Sequence, residues 1–207
     1  MMHGRHFATI ALAFALVGCA TAASILYPVD RDALKLRPGD YVLDPDHASV
    51  IFAVDHLGFS TYYGRFTDIS GRLTLDPASP EKSQVAVRIG AASIDTPSAE
   101  LNEMLTGAGM FDAGRHPDIL FVSTRVSQTG ENSADIEGVL TVKERSGPVA
   151  VQASFRGGGV NPATGKRTAG FEGTATLSRA AFGLSRWSGF VGDETSLIIS
   201  AEFVSAD

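Results

Sequence analysis

Apolar and polar residues alternate with a period of two from Asp40 almost to the carboxyl terminus, and this pattern constrains the fold most. Such alternation is typical of β-strands with one buried face. Turn residues, such as those at 76–77, 146–148 and 161–165, separate the runs and leave short connections, which favour antiparallel neighbours. Because about eight long strands must hide their edges, we predict an all-β protein, an extended eight-stranded antiparallel β-barrel.

One segment breaks the alternation and predicts a short helix over Ala99–Leu105. Thr96 can cap this helix, Pro97 suits its first position, and Gly107 offers a stop. With residues 109–117 it makes the longest excursion between strands. We therefore expect this segment to cover one end of the barrel.

Composition excludes several classes of protein. The 207 residues suit one domain with a sizeable core. The chain has 17 Lys and Arg against 23 Asp and Glu, a net charge of −6, which excludes a generally basic nucleic-acid binder. Its single cysteine excludes an internal disulfide framework and a multi-cysteine zinc site. We expect no nucleic-acid partner and no required cofactor.

The amino terminus has the features of a bacterial export signal. Arg5 precedes an uncharged apolar run, Phe7–Gly18, which is too short to span a bilayer. The run ends in Leu16-Val17-Gly18-Cys19, which resembles the lipobox of bacterial lipoproteins. This resemblance implies that Cys19 is acylated and that residues 1–18 are removed. An ordinary secretory signal, cut a few residues later, is the alternative.

These features divide the chain into a signal peptide (1–18), an acylated amino terminus with a tether (19–39), and a barrel domain (40–207). Ala20 rather than aspartate follows the cysteine. Similarity to Gram-negative lipoproteins then implies a periplasm-facing protein, anchored by its acyl chains to the outer membrane of the bacterial envelope.

No residue pattern localises a catalytic or metal site. The sequence lacks the G-x-S-x-G motif of a nucleophile elbow. The carboxylate pair Asp44/Asp46 flanks a proline in a turn, where Asp is favoured for backbone hydrogen bonding. His47 and His56 are nine residues apart and would project from opposite faces of one strand. We predict no catalytic residue and no metal site.

Aromatic residues are the most informative side chains, with 12 Phe and one Trp mostly within or beside the predicted strands. Each of them alone is most simply a core residue, but together they suit a barrel with an apolar channel. Gly71, Gly138 and Gly173 fall on the apolar faces and would leave room for a ligand. The candidate channel residues are Phe52, Phe66, Phe121, Phe155, Phe171, Phe182, Trp187 and Phe190.

Several short motifs follow one another in the order and spacing of a known bacterial family. They are Tyr41-x-x-Asp44-x-x-His47, Phe52-x-x-x-His56-Leu57-Gly58-Phe59-Ser60, Gly64-x-Phe66, Ser93-Ile94-Asp95-Thr96, Met110-Phe111-Asp112, His116-Pro117-x-Ile119-x-Phe121, Gly138-x-Leu140-Thr141-Val142 and Ser178-Arg179-x-x-Phe182-Gly183-Leu184. Over residues 40–204 the chain resembles the YceI-like family, polyisoprenoid-binding envelope proteins with a lipocalin-like barrel. It departs from the family pattern at Tyr41, usually Trp, and at His47-Ala48-Ser49, usually an uninterrupted His-Ser pair.

The resemblance implies non-catalytic binding or carriage of a long-chain isoprenoid lipid, of the isoprenoid quinone or polyprenyl phosphate type. Burial of the tail in the apolar channel would drive binding. The head group would emerge near a strand end, where His47, Arg65, Arg115 or His116 could meet it. A homodimer and a membrane redox partner are compatible with the resemblance. Two alternatives stay open: an envelope enzyme acting on a lipidic substrate, and a structural or stress-response interaction module with a filled barrel.

Overall fold

The alternating runs form ten strands of one antiparallel sheet in the structure, a computed structural model that describes residues 28–207. The strands are β1 (Gly39–His56), β2 (Ser60–Phe66), β3 (Ile69–Leu75), β4 (Gln84–Gly90), β5 (Ile94–Asp95), β6 (Asp118–Gly130), β7 (Ser133–Val142), β8 (Arg145–Val160), β9 (Arg167–Ser178) and β10 (Val191–Ser205). Their order is β10-β9-β8-β7-β6-β4-β3-β1-β2-β5, and pairing of β10 with β1 closes the sheet.

The long strand β1 explains how ten strands make an eight-stranded barrel. Its first half pairs with β3 and its second half with β2, so β2 and β3 act as one bent strand. In the same way β5 pairs with β2 where β4 pairs with β3. Counting each of these two pairs of strands as one gives eight, which confirms the predicted closed barrel.

The predicted helix is present as α1 (Ala99–Thr106), and Gly107 follows its last residue. Its cap is Ser98 rather than Thr96, because Ser98 directly precedes the first helical residue and its hydroxyl accepts the Leu101 N–H at 3.2 Å. Thr96 instead donates its hydroxyl to Asn102 Oδ1 at 2.7 Å. Within residues 28–207, no helix has the length and hydrophobicity needed to cross a membrane.

The two ends of the barrel differ in how they are filled. The plugged end carries α1, the β1–β2 and β7–β8 turns and the β9–β10 connection. Leu105, Met110 and Phe111 are buried there, and the Phe66 and Phe111 rings meet edge to face at 5.8 Å between centroids. The mouth end, at the other side, carries the β3–β4, β6–β7 and β8–β9 hairpins. Most large side chains of the core lie towards the plugged end.

Residues 28–38 lie against the barrel at the mouth end. Asp30 and Gly158 exchange two backbone hydrogen bonds of 2.8 Å, and the Ala33 N–H donates to Asn132 Oδ1 at 3.2 Å. A Cβ at Gly158 would come within 2.5 Å of Leu36 Cδ2, so the glycine lets this segment approach β8 closely. The signal peptide and Cys19 lie outside the described residues, as does the predicted tether up to residue 27.

Candidate functional site

The barrel encloses an apolar cavity of about 270 Å³ in its mouth half, here called the inner cavity. It reaches the surface at the mouth end, where the exposed residues Leu34 and Glu131 belong to its rim. Towards the plugged end it stops near Ile69 and Leu140. Its wall is built from inward residues of all eight barrel strands and includes Leu73, Val87, Phe121, Val151, Phe171 and Leu197.

Three phenylalanines on neighbouring strands form one side of the wall. Phe171 of β9 lies between Phe155 of β8 and Phe203 of β10, with ring centroids 5.6 and 6.1 Å apart. The pairs are tilted or edge to face, the arrangements that aromatic rings prefer. Phe155 and Phe203 are buried, so this cluster is a fixed surface against which an apolar ligand can pack.

Two of the three glycines that were expected to leave room for a ligand, Gly138 and Gly173, are covered by neighbouring side chains instead. A Cβ at Gly138 would come within 2.6 Å of Phe121 Cε2, so the phenylalanine ring lies over the glycine. A Cβ at Gly173 would come within 3.0 Å of Val151 Cγ1. The open volume comes from the central space between the aliphatic and aromatic walls.

Of the eight predicted channel residues, Phe121, Phe155 and Phe171 line the inner cavity. The other five lie outside its lining. Phe52 and Phe66 pack against each other with ring centroids 6.0 Å apart, and Phe182 is buried elsewhere in the core. Trp187 lies under the Arg186 guanidinium, and Phe190 is 63% exposed. Aliphatic wall residues, such as Leu73 and Val87, were not predicted as candidates. The alternating pattern places these residues on the inward face of each strand, and that position could have identified them as candidates.

The predicted head-group residues lie away from the cavity lining. Three of them pair with carboxylates at or near the plugged end: Arg65 with Asp95 at 2.9 Å, Arg115 with Asp112 at 3.4 Å, and His116 with Glu144 at 3.8 Å. Proximity to a strand end was the basis for choosing them, but it does not tell which end of the barrel is open. The structure therefore brings none of the three to the mouth.

His47, the fourth predicted head-group residue, lies in an irregular part of β1. Leu43 pairs with Phe203 and Ala48 with Ala201, so residues 44–47 face Glu202 alone. His47 Nδ1 lies 2.9 Å from Asp44 Oδ2.

This hydrogen bond raises the pKa of His47, with a further contribution from Glu202, and it lowers the pKa of Asp44. Ligand atoms of Asp44, His47 and Glu202 lie within 4.8 Å of one another, so these residues could also share a divalent cation. His56, nine residues after His47, has no part in this cluster.

The chemistry of the inner cavity is that of an apolar binding site. In the described residues, its lining contains no His, Lys or Arg, and its polar side chains lie mainly towards the mouth, including Asn132 and the carboxylates of Asp76, Glu131 and Glu172. General acid or base catalysis needs a titratable group held close to the reacting atoms, and these three carboxylates are the titratable side chains of the described lining. These walls offer dispersion contacts and exclusion of water to an apolar chain.

Comparisons with known proteins agree with this architecture. The family model described as a YceI-like domain matches residues 41–203. The UPF0312 protein of Ectopseudomonas mendocina is 41% identical over 165 residues, which cover 79% of this chain and 86% of that protein.

Two solved structures share the fold. BcnA from Burkholderia cenocepacia has a TM-score of 0.70 at 24% identity, and the match covers 77% of this chain and 98% of BcnA. A polyisoprenoid binding domain from Saccharophagus degradans has a TM-score of 0.58 at 10% identity, covering 82% and 99% of the two chains. With the family model spanning nearly the whole closed barrel, these matches show that the chain belongs to the YceI-like family.

Proposed function

We propose that the protein binds the tail of an isoprenoid lipid in the inner cavity, without catalysing a reaction on it. The observation that carries this proposal is the water-excluding wall of aliphatic and aromatic side chains around an open volume. A neighbour with the same fold, from Saccharophagus degradans, is described as a polyisoprenoid binding domain, which supports the same ligand class here.

The volume of the inner cavity indicates how much of a tail it holds. A 150 Å³ apolar cavity holds benzene, so by proportion a cavity of about 270 Å³ holds roughly 11 carbons. Two five-carbon isoprene units fit this capacity, and the rest of a longer lipid would pass through the mouth. Burying one unit is worth up to about 4 kcal/mol at roughly 0.8 kcal/mol per carbon, before ordering costs.

The proposed location is the periplasmic face of the bacterial outer membrane, with acylated Cys19 as the anchor. Pro28 lies at the mouth end, nine residues after Cys19. Nine residues span at most about 32 Å when extended. Such an anchor would hold the mouth near the membrane, so that a tail could enter without crossing water. We expect Cys19→Ser to release the protein from membranes in fractionation, and a variant retained as firmly as wild type would overturn the anchor.

The experiment for ligand binding is lipid analysis of the native protein. Protein purified from its own envelope is extracted with organic solvent, and the extract is analysed by mass spectrometry. We expect an isoprenoid lipid in wild type, and much less of it in an Ala153→Phe variant, whose new ring would occupy the inner cavity. A wild-type extract without any isoprenoid, in repeated preparations, would refute the proposal.

A further inference from the structure

A second, polar pocket of about 360 Å³ lies beside the inner cavity at the mouth end, and here it is called the arginine pocket. Its lining includes Lys35, Arg37, Tyr41, Gly159, Arg167 and Thr168. Leu36 lines both spaces, whereas its neighbours Lys35 and Arg37 line only the arginine pocket. One short segment of chain therefore separates the polar pocket from the apolar one.

The arginine pocket holds more positive than negative charge, although the whole chain has a net charge of −6. Of its cations, Lys35 is already paired, with Nζ 3.0 Å from Asp30 Oδ2. Neither Arg37 nor Arg167 forms an ion pair with any carboxylate in residues 28–207. Two guanidinium groups are therefore available to an anion.

The charges of both arginines act on the phenol of Tyr41. Burial raises the pKa of Tyr41 and the charge of Asp207 adds to this, whereas the charges of Arg167 and Arg37 act in the opposite direction. The Tyr41 hydroxyl donates to the Arg37 carbonyl oxygen at 2.8 Å, which fixes Arg37 at the edge of the pocket. The two guanidinium charges thus act on one small volume.

Thr168 follows Arg167 in the lining of the same pocket, but its hydroxyl is closed to solvent. Thr168 Oγ1 is buried and has no hydrogen-bond partner among the described residues. Buried polar atoms without a partner are rare, because leaving one unsatisfied costs about 1–3 kcal/mol. Because this hydroxyl does not reach the surface of the pocket, the arginines are the donors that an anion in the pocket would meet.

We propose that the arginine pocket binds a phosphate group through Arg37 and Arg167. A guanidinium group pairs with phosphate through two parallel hydrogen bonds, and the pocket offers two guanidinium groups. The phosphate could be the head group of a lipid whose tail lies in the inner cavity, since only the chain around Leu36 separates the two spaces. It could equally be free phosphate. The phosphate site stands without the isoprenoid proposal, and only its lipid source rests on it.

The test is isothermal titration calorimetry on the full-length protein in a bulky non-ionic detergent, with three probes. Inorganic phosphate tests the arginine pocket, geraniol tests the inner cavity, and geranyl phosphate tests both together. We expect the double variant Arg37→Gln/Arg167→Gln to weaken binding of both phosphates about tenfold or more, because charge-assisted hydrogen bonds are lost. Geraniol should bind the double variant as it binds wild type.

Two further variants sharpen the result. Arg125→Gln removes an exposed arginine of β6 outside the pocket and should leave phosphate binding unchanged, which controls for net charge. Thr168→Val keeps the shape of the side chain and removes a hydroxyl that is closed to the pocket, so it should leave phosphate binding unchanged and should not lower the melting temperature. Wild type that binds no phosphate would overturn the site, as would a double variant that binds it equally well.

The three probes also separate the two sources of phosphate. Geranyl phosphate that binds more tightly than both other probes supports a lipid head group. Geranyl phosphate that binds no more tightly than inorganic phosphate supports free phosphate at the same site. Wild type that does not bind geraniol would refute the isoprenoid proposal, while the result for phosphate would still stand.

Discussion

Filling the inner cavity by a single substitution tests whether its volume is the binding site. Ala153 of β8 lines the cavity, and its partners across the sheet, Ala134 and Gly173, are small. A phenylalanine at position 153 therefore has room to extend into the open volume rather than into packed neighbours. We expect Ala153→Phe to fold and to bind isoprenoid weakly.

The expected magnitude follows from the volumes. The added ring is about the size of benzene, which occupies a cavity of roughly 150 Å³. About 120 Å³ of the 270 Å³ would remain, enough for roughly one isoprene unit rather than two. Losing one buried unit costs up to about 4 kcal/mol. Since each 1.4 kcal/mol is tenfold in affinity, geraniol should bind about tenfold to 1,000-fold more weakly.

The assay is calorimetric titration with geraniol, accompanied by thermal melting of each variant. Ala150→Phe is the matched control, because it makes the same change on the same strand at an exposed position outside the cavity lining. Equal affinity of Ala153→Phe and wild type, with both folded, would refute the cavity as the binding site. So would an equal loss of affinity in Ala150→Phe.

Three predictions concern the scaffold. Asp44→Asn should lower the pKa of His47 in an NMR titration, because the hydrogen bond that raises this pKa is lost. In wild type, the stability that protonated His47 contributes is present below its ordinary pKa and is lost as the pH rises through its raised pKa. The stability that ionised Asp44 contributes is lost as the pH falls through its lowered pKa. An unchanged His47 pKa would contradict the pairing. Arg179→Met should lower the free energy of unfolding in urea by about 3 kcal/mol, because the buried guanidinium of Arg179 donates to four backbone carbonyls. A free energy of unfolding equal to that of wild type would contradict this role. Gly138→Ala should cost about 1–3 kcal/mol by the same assay, whereas Gly189→Ala, with open space at its Cβ, should be nearly neutral; equal effects would refute the close contact.

The closed barrel and its helix could be predicted because their signals are local. Period-two alternation marks the inward face of a strand wherever the strand lies, and the need to hide edges then favours closure. The helix cap was misplaced by two residues because Thr96 and Ser98 are both good capping residues. Ser98 is distinguished by its place directly before Ala99 and by the hydrogen bond that its hydroxyl accepts from Leu101 N–H.

The position of the inner cavity along the barrel could not be predicted in this way. Phe66 and Phe121 both point inward, yet Phe66 packs with Phe111 in the plug and Phe121 lines the cavity. Which of the two meets open space depends on how far each strand is offset against its neighbours. That offset is set by contacts between distant parts of the chain, such as the irregular pairing of β1 with β10 after Leu43. The same long-range information decides which end is open.

The arginine pocket was missed for a related reason. Arg37 and Arg167 are 130 positions apart in the sequence, and they meet only because residues 28–38 lie against β8 and β9 at the mouth end. The run of glycines at 157–159 was the available signal, since glycine permits close approach of another backbone. A single sequence does not identify the segment that approaches.

The central claim, that an isoprenoid tail lies in the inner cavity, is tested most directly by photo-crosslinking. Geraniol carrying a diazirine at the end of its tail is bound to the full-length protein, irradiated, and mapped by peptide mass spectrometry. We predict saturable labelling of the wall on β8 to β10, at residues such as Val151, Phe171 and Leu197, and competition by unlabelled geraniol. Labelling that is confined to exposed residues such as Phe59 and Phe190, or that does not saturate, would contradict the account.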